Sequence, residues 1–268
     1  MKKSRKFGEV VVVYSHHEKE TAEWISEVCD RAVRLSQEKW GLGPPEKCRI
    51  YIMTSWLGFV FQSAPWSWKM LLAATFPLWA FRAAKTWPYS AGWTQKYGKK
   101  ITIGIKPPRL IEKSKKGLGI RMFVEEKDAK EKIQHVACHE LVHACSAFLR
   151  LPAWLNEGIA TVSVDQFLGK QTIRQDTLNL IRDFQPKAPP PTYRKLSRMG
   201  AEEIVYQSTR GYWLVRYMEE NFPGFLEKLF SQHQNSKPIE IEIIRKLTPE
   251  GNTFWEKIDR ILFEHFKK

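Results

Sequence analysis

The sequence predicts an α+β protein, with a small mixed sheet and one pivotal helix in its N-terminal part and a helical C-terminal half. Three observations lead there. Short β-branched or alternating runs at Glu9 to Tyr14, Lys47 to Thr54 and Lys100 to Ile105 read as strands. Apolar residues at helical spacing (Ala22, Ile25, Val28, Cys29, Ala32, Val33, Leu35) make Glu18 to Trp40 an amphipathic helix between the first two. Beyond Val164 the pattern is helical almost throughout. The chain has 268 residues and 43% hydrophobic content, enough for one substantial domain or two small ones, and we take it as a single domain over 1–268. We read it as an α+β lobe over 1–164 and a helical lobe over 165–268, with the site between them.

In chain order, the basic N-terminus is followed by only four valines, too short a run for a signal-peptide core. Gly41-Leu42-Gly43-Pro44-Pro45 ends the first helix, and Pro107-Pro108 ends the Lys100 to Ile105 strand. Met122-Phe123-Val124 reads as a further strand. Asp128 caps a helix, with Glu131 as its capping-box partner. Ile133, Val136, Ala137, Leu141, Ala144 and Phe148 carry the periodicity, and Pro152 stops the helix near Arg150. A polar helix at Ile173 to Phe184 and a proline-rich link at Pro186 to Pro191 follow. Further helices are expected at Ala201 to Asn221, ended by Phe222-Pro223-Gly224, then at Phe225 to Phe230, Ile239 to Leu247 and Thr253 to Phe266.

The helix opened by Asp128 carries His139-Glu140-Leu141-Val142-His143, which fits H-E-x-x-H. Residues four apart share a helix face, so His139 and His143 can reach one metal ion. Glu140 beside them can act on a water as general base without being a ligand. A catalytic zinc needs a third protein ligand and an open position. Fourteen residues after His143 stands Glu157, in Trp154-Leu155-Asn156-Glu157-Gly158-Ile159-Ala160.

That segment resembles the W-L-N-E-G-x-A stretch of gluzincins, notably the membrane alanyl aminopeptidase family and the compact peptidase-MA-like domains. The resemblance covers about Asp128 to Val164 closely. It implies a zincin-like (gluzincin) fold and a zinc metallopeptidase in which His139, His143 and Glu157 hold Zn2+, Glu140 is the general base, and the substrate is a peptide or protein. The short spacer between His143 and Glu157 suits the compact domains. The G-x-M-E-N segment that binds a free amino terminus has no match upstream of His139, so aminopeptidase specificity is not implied. The Lys100 to Ile105 strand reads either as an ordinary sheet strand or, by resemblance, as the edge that pairs with extended substrate. Tyr206 resembles the tyrosine of a Tyr-x-Gln-type helix start and is the expected oxyanion donor, with Tyr212 the runner-up; either can instead be a core tyrosine. In thermolysin-like enzymes an Asp four residues after the glutamate ligand orients a histidine; here Thr161 stands there. His135 is either a spare ligand or a flank residue.

The net charge of +14 favours anionic partners, but the cations are scattered and no nucleic-acid motif appears, so nucleic acid is not expected. Cys29, Cys48, Cys138 and Cys145 fit no metal or redox spacing and read as buried reduced thiols. A cytoplasmic location follows by default. Residues 56–93 hold six of the eleven tryptophans. The uncharged run Met70 to Phe81 is 12 residues long and contains Pro77, whereas a span needs about 20. With Lys69, Arg82 and Lys85 flanking it, the segment reads as a peripheral membrane or partner-docking surface, or as a hairpin of helices or a lid packed on the domain, with a span the least favoured of the three. The competing functional classes are a catalytically weak peptidase-like binding module docked to a membrane or protein partner through this segment, and a zinc hydrolase acting on a non-peptide amide.

Overall fold

Two tight hairpins build the two ends of the sheet. Strands β1 (Lys2–Phe7) and β2 (Val10–Ser15) close at Phe7↔Val10 around Gly8-Glu9. Two further strands, Gly92–Tyr97 and Lys100–Ile105, close at Tyr97↔Lys100 around Gly98-Lys99. Gly8 and Gly98 have φ of 50° and 61°, the left-handed backbone that two-residue hairpin turns favour and glycine adopts without strain. Strand β3 (Cys48–Ile52) lies in the middle. Numbering Gly92–Tyr97 as β4 and Lys100–Ile105 as β5, the order is β1-β2-β3-β5-β4, with β3 parallel to both β2 and β5. The protein is thus α+β with a mixed five-stranded sheet. This computed structural model describes residues 2–113, 119–184, 190–196, 198–232, 236–247 and 254–267.

The helices follow the apolar periodicity. They are α1 (Lys19–Trp40), α2 (Trp56–Ser63), α3 (Trp66–Ala74), α4 (Phe76–Thr86), α5 (Pro108–Lys113), α6 (Gly119–Met122) and α7 (Ala129–Ser146). Beyond them come α8 (Ala153–Leu168), α9 (Thr177–Asp183), α10 (Tyr193–Leu196), α11 (Ala201–Asn221), α12 (Phe225–Gln232), α13 (Ser236–Leu247) and α14 (Phe254–Phe266).

The chain divides into two compact units. The first comprises Met1–Arg34, Pro44–Ile120 and Glu125–Ala144. Its interior holds Val12, Ile25, Ile50, Ile101, Ile103, Ile133, Ala137 and Leu141, none with any exposed surface. The second comprises Leu35–Gly43, Arg121–Val124 and Cys145–Lys268. There α8 and α11 cross at two glycines. A Cβ on Gly158 would lie 2.5 Å from the Gly211 carbonyl oxygen, and a Cβ on Gly211 would overlap the Trp154 carbonyl. The fully buried Arg210 is neutralised by a bidentate pair with Asp259 (2.7 and 2.9 Å), which meets the requirement that a buried charge be partnered.

Several expectations change. β5 is not an edge: it is paired on both sides, and β4, which closes the hairpin, ends the sheet. The basic N-terminus is a strand, solvated at the sheet's other end as a lysine-rich edge can be. Met122–Val124 makes only an isolated antiparallel bridge, Phe123↔Ile173. The helix opened by Asp128 ends at Ser146 rather than near Arg150, and Arg150 itself takes a positive φ of 51°. Pro186 to Pro189 of the proline-rich link, and Thr253, lie outside the described residues. All four cysteines are free and buried, and burial pushes the Cys29 and Cys145 thiols up to about 12. Among the described residues no helix is long and apolar enough to cross a membrane.

Candidate metal centre

α7 begins where the Asp128 carboxylate accepts from the Lys130 amide at 3.0 Å. Its face of Ile133, Ala137, Leu141 and Ala144 is fully buried, which fixes the helix in rotation. The fixed rotation sets the motif residues. His139 and His143, both half-buried, stand with their Nε2 atoms 3.0 Å apart and their rings nearly perpendicular at 88°. His135, one turn earlier, is not turned to them in this way: its Nδ1 lies 2.6 Å from the Glu126 carboxylate, and both side chains are buried. That pairing accounts for His135 as a flank residue.

Glu140 is buried, with 7% of its surface exposed. The Thr94 hydroxyl of β4 donates to its Oε2 at 2.5 Å, which fixes the carboxylate. Two residues earlier on the same strand, Gly92 leaves the space the Glu140 side chain occupies. A Cβ there would stand 2.5 Å from both Glu140 Cγ and Oε1. The strand therefore shapes the position of the acidic side chain at two points on one face.

Glu157 is the fifth residue of α8, which is begun by Pro152 and buried along Trp154, Leu155, Ile159 and Ala160. A hydrogen-bond chain holds it. Ser146 Oγ donates to Asn156 Oδ1 (2.6 Å), Asn156 Nδ2 donates to the Tyr193 hydroxyl (2.8 Å), and Tyr193 donates to Glu157 Oε1 (3.0 Å). Beside it runs a shallow groove lined by Trp154, Glu157, Pro190, Pro191 and Gln207. Gln207 is 4% exposed, and its Oε1 accepts no hydrogen bond among the described residues. One ligand atom from each of His139, His143 and Glu157 lies within 4.8 Å of the others. Two imidazoles and one carboxylate at that spacing could hold a metal ion.

The tyrosines expected from the sequence do other work. Tyr206 is fully buried, stacks on Phe184 at 4.2 Å, and donates to Asp259 at 2.8 Å. Tyr212 donates to Asp165 at 2.6 Å. Burial pushes both phenols well above their usual range. Each hydroxyl is thus committed to a carboxylate in the second unit, buried Asp259 for Tyr206 and half-buried Asp165 for Tyr212. Thr161 bonds back to its own helix, at the Glu157 carbonyl oxygen (2.9 Å), so it replaces no histidine-orienting aspartate. Sequence reasoning missed Gly92, Thr94 and Tyr193. The hairpin at Gly98 was a signal for β4, and hence for the first two; nothing near Tyr193 marks it.

No family model matches the chain, and no curated protein matches it.

Proposed function

We propose that the protein is a zinc-dependent peptidase of gluzincin type, with a zincin-like fold. The observation that carries the reading is the convergence of His139, His143 and Glu157 donor atoms within 4.8 Å, next in sequence to a carboxylate that Thr94 holds in place. Zinc held by His139, His143 and Glu157 would supply Lewis-acid polarisation and would acidify a water to a pKa of about 7. Glu140, which is not in the donor set, takes the proton of the attacking water and returns it to the leaving amine. The Thr94 hydroxyl holds Oε2 and so limits the carboxylate to one orientation during both transfers. Tyr193 orients Glu157 in the same way, because a ligand carboxylate with a hydrogen bond on one oxygen presents the other predictably.

Substrate class follows from β4. It ends the sheet, and its Gly92 and Thr94 adjoin Glu140. An extended peptide pairing along β4 would bring its backbone to that carboxylate through main-chain hydrogen bonds, with little demand on side-chain identity. Metal analysis of the purified chain tests the reading: about one zinc per chain is expected, and Glu157→Ala should lose it. Full zinc content in Glu157→Ala would refute the assignment.

A further inference from the structure

We infer that α3 and α4 form a docking surface for an acidic lipid bilayer, on which the protein lies peripherally. The inference does not depend on the metal centre. The tryptophan-rich segment has two sides. Its inner side packs on the sheet: Leu72, Trp79, Trp87 and Trp93 lie against a cluster of Tyr51, Met53, Phe59 and Val60. Its outer side is apolar and uncovered. Trp66 is 76% exposed, Leu78 80% and Phe81 79%, and Met70 and Leu71 are more than half exposed. Inner packing therefore explains only part of the segment's apolar content.

Charge identifies what covers the outer side. Between Glu46 and Glu112 the sequence has ten Lys or Arg and no Asp or Glu, so most of the +14 net charge falls in this one stretch. Part of that charge stands beside the apolar face. Trp68 of α3 packs edge-on against Tyr97 (5.4 Å), which places α3 next to the Tyr97–Lys100 turn, where Lys99 is exposed. Lys100 there is held below its usual range by burial and then by the nearby charges of Arg49 and Lys69. A protruding apolar ridge of Trp, Leu, Met and Phe flanked by cations matches the layering of a bilayer surface, with acyl boundary inside and phosphates outside. A ridge, unlike a groove, needs no shaped partner. Helices of nine and eleven residues cannot span a bilayer, so the contact is in-plane.

The test is co-sedimentation of the full chain with vesicles of equal parts phosphatidylglycerol and phosphatidylcholine, against phosphatidylcholine alone. Recovery with the acidic vesicles is expected, with much less on the neutral ones and less in 1 M salt, where the Debye length is about 3 Å. The triple variant Trp66→Ala, Leu78→Ala, Phe81→Ala should melt like the wild type, since these side chains point to solvent. It should bind on the order of a hundredfold more weakly, because three large apolar groups no longer insert. Lys99→Glu should weaken acidic-vesicle binding alone. Wild-type protein that stays in the supernatant with both vesicles would overturn the inference, as would a triple variant that binds undiminished. Self-association of the wild type that the triple variant abolishes, with no vesicle binding by either, would assign the face to a second copy of the chain instead.

Discussion

Gly92→Ala isolates the position of Glu140 from the metal ligands. The added Cβ would stand 2.5 Å from Glu140 Cγ and Oε1, whereas ordinary contact begins near 3.4 Å. The carboxylate, or strand β4, must therefore give way by 3.4 − 2.5 = 0.9 Å. β4 is held by its pairing with β5, Gly92 itself facing Ile105, so the longer and more flexible glutamate side chain moves first. Displacement by about 1 Å of a group that must meet a reacting atom costs about 10²-fold in rate. The overpacking itself costs ~1–3 kcal/mol of stability. Neither effect touches His139, His143 or Glu157. Zinc content should be unchanged, the melting temperature slightly lower, and the turnover of a peptide substrate pool down about a hundredfold at matched zinc loading. A Gly92→Ala protein that hydrolyses peptides at the wild-type rate would refute the claim that β4 sets the general base.

Two other perturbations follow. Tyr193→Phe removes the hydroxyl on Glu157 and keeps the ring, so zinc affinity measured by chelator competition should fall by about tenfold, the lower end of what loss of a partner to a metal ligand costs; unchanged affinity would show that Tyr193 does not position Glu157. Lys106, fully buried at the end of β5, sits 4.2 Å over the Trp87 ring and donates to the Trp87 carbonyl, and burial lowers its pKa from 10.5 to about 8. Between about pH 8 and 10.5 the unfolded chain binds a proton that the folded chain does not, so this residue makes stability rise with pH across that window and exacts its full penalty below it. Lys106→Met should remove that rise. The stability of wild type minus that of the variant, from urea unfolding, should increase from pH 8 to pH 10, and a constant difference would contradict the assignment.

The parts of the fold legible in the sequence are those with local periodicity. α1, α7 and α11 were readable because a buried stripe on a helix leaves a 3.6-residue mark, and β2, β3 and β5 because β-branched runs leave a period of two. β1 and β4 were not, since both are partly exposed hairpin strands whose polar residues leave no alternation. Their only mark is a glycine at each turn. The closeness of the two proposed histidine ligands was legible because their spacing is itself the geometry: four residues on one helix bring two imidazoles together. Side chains that support them are brought in by tertiary packing from 46 residues away, as Thr94 is to Glu140, or 36, as Tyr193 is to Glu157, and no local pattern encodes that. Tyr206 shows the converse error, since a motif-like setting did not reveal that Asp259 would take its hydroxyl and Arg210 lie over its ring.

The most direct measurement is peptide-library hydrolysis by zinc-loaded Glu140→Gln, read by mass spectrometry beside the wild type. The amide retains the shape of the side chain and the Thr94 contact is replaceable, while the ability to take a proton is lost. Equal zinc content, an equal melting temperature and hydrolysis reduced by at least about 10²–10⁴-fold, the usual contribution of a general base, are expected. Undiminished cleavage by the zinc-loaded variant would contradict that role for Glu140.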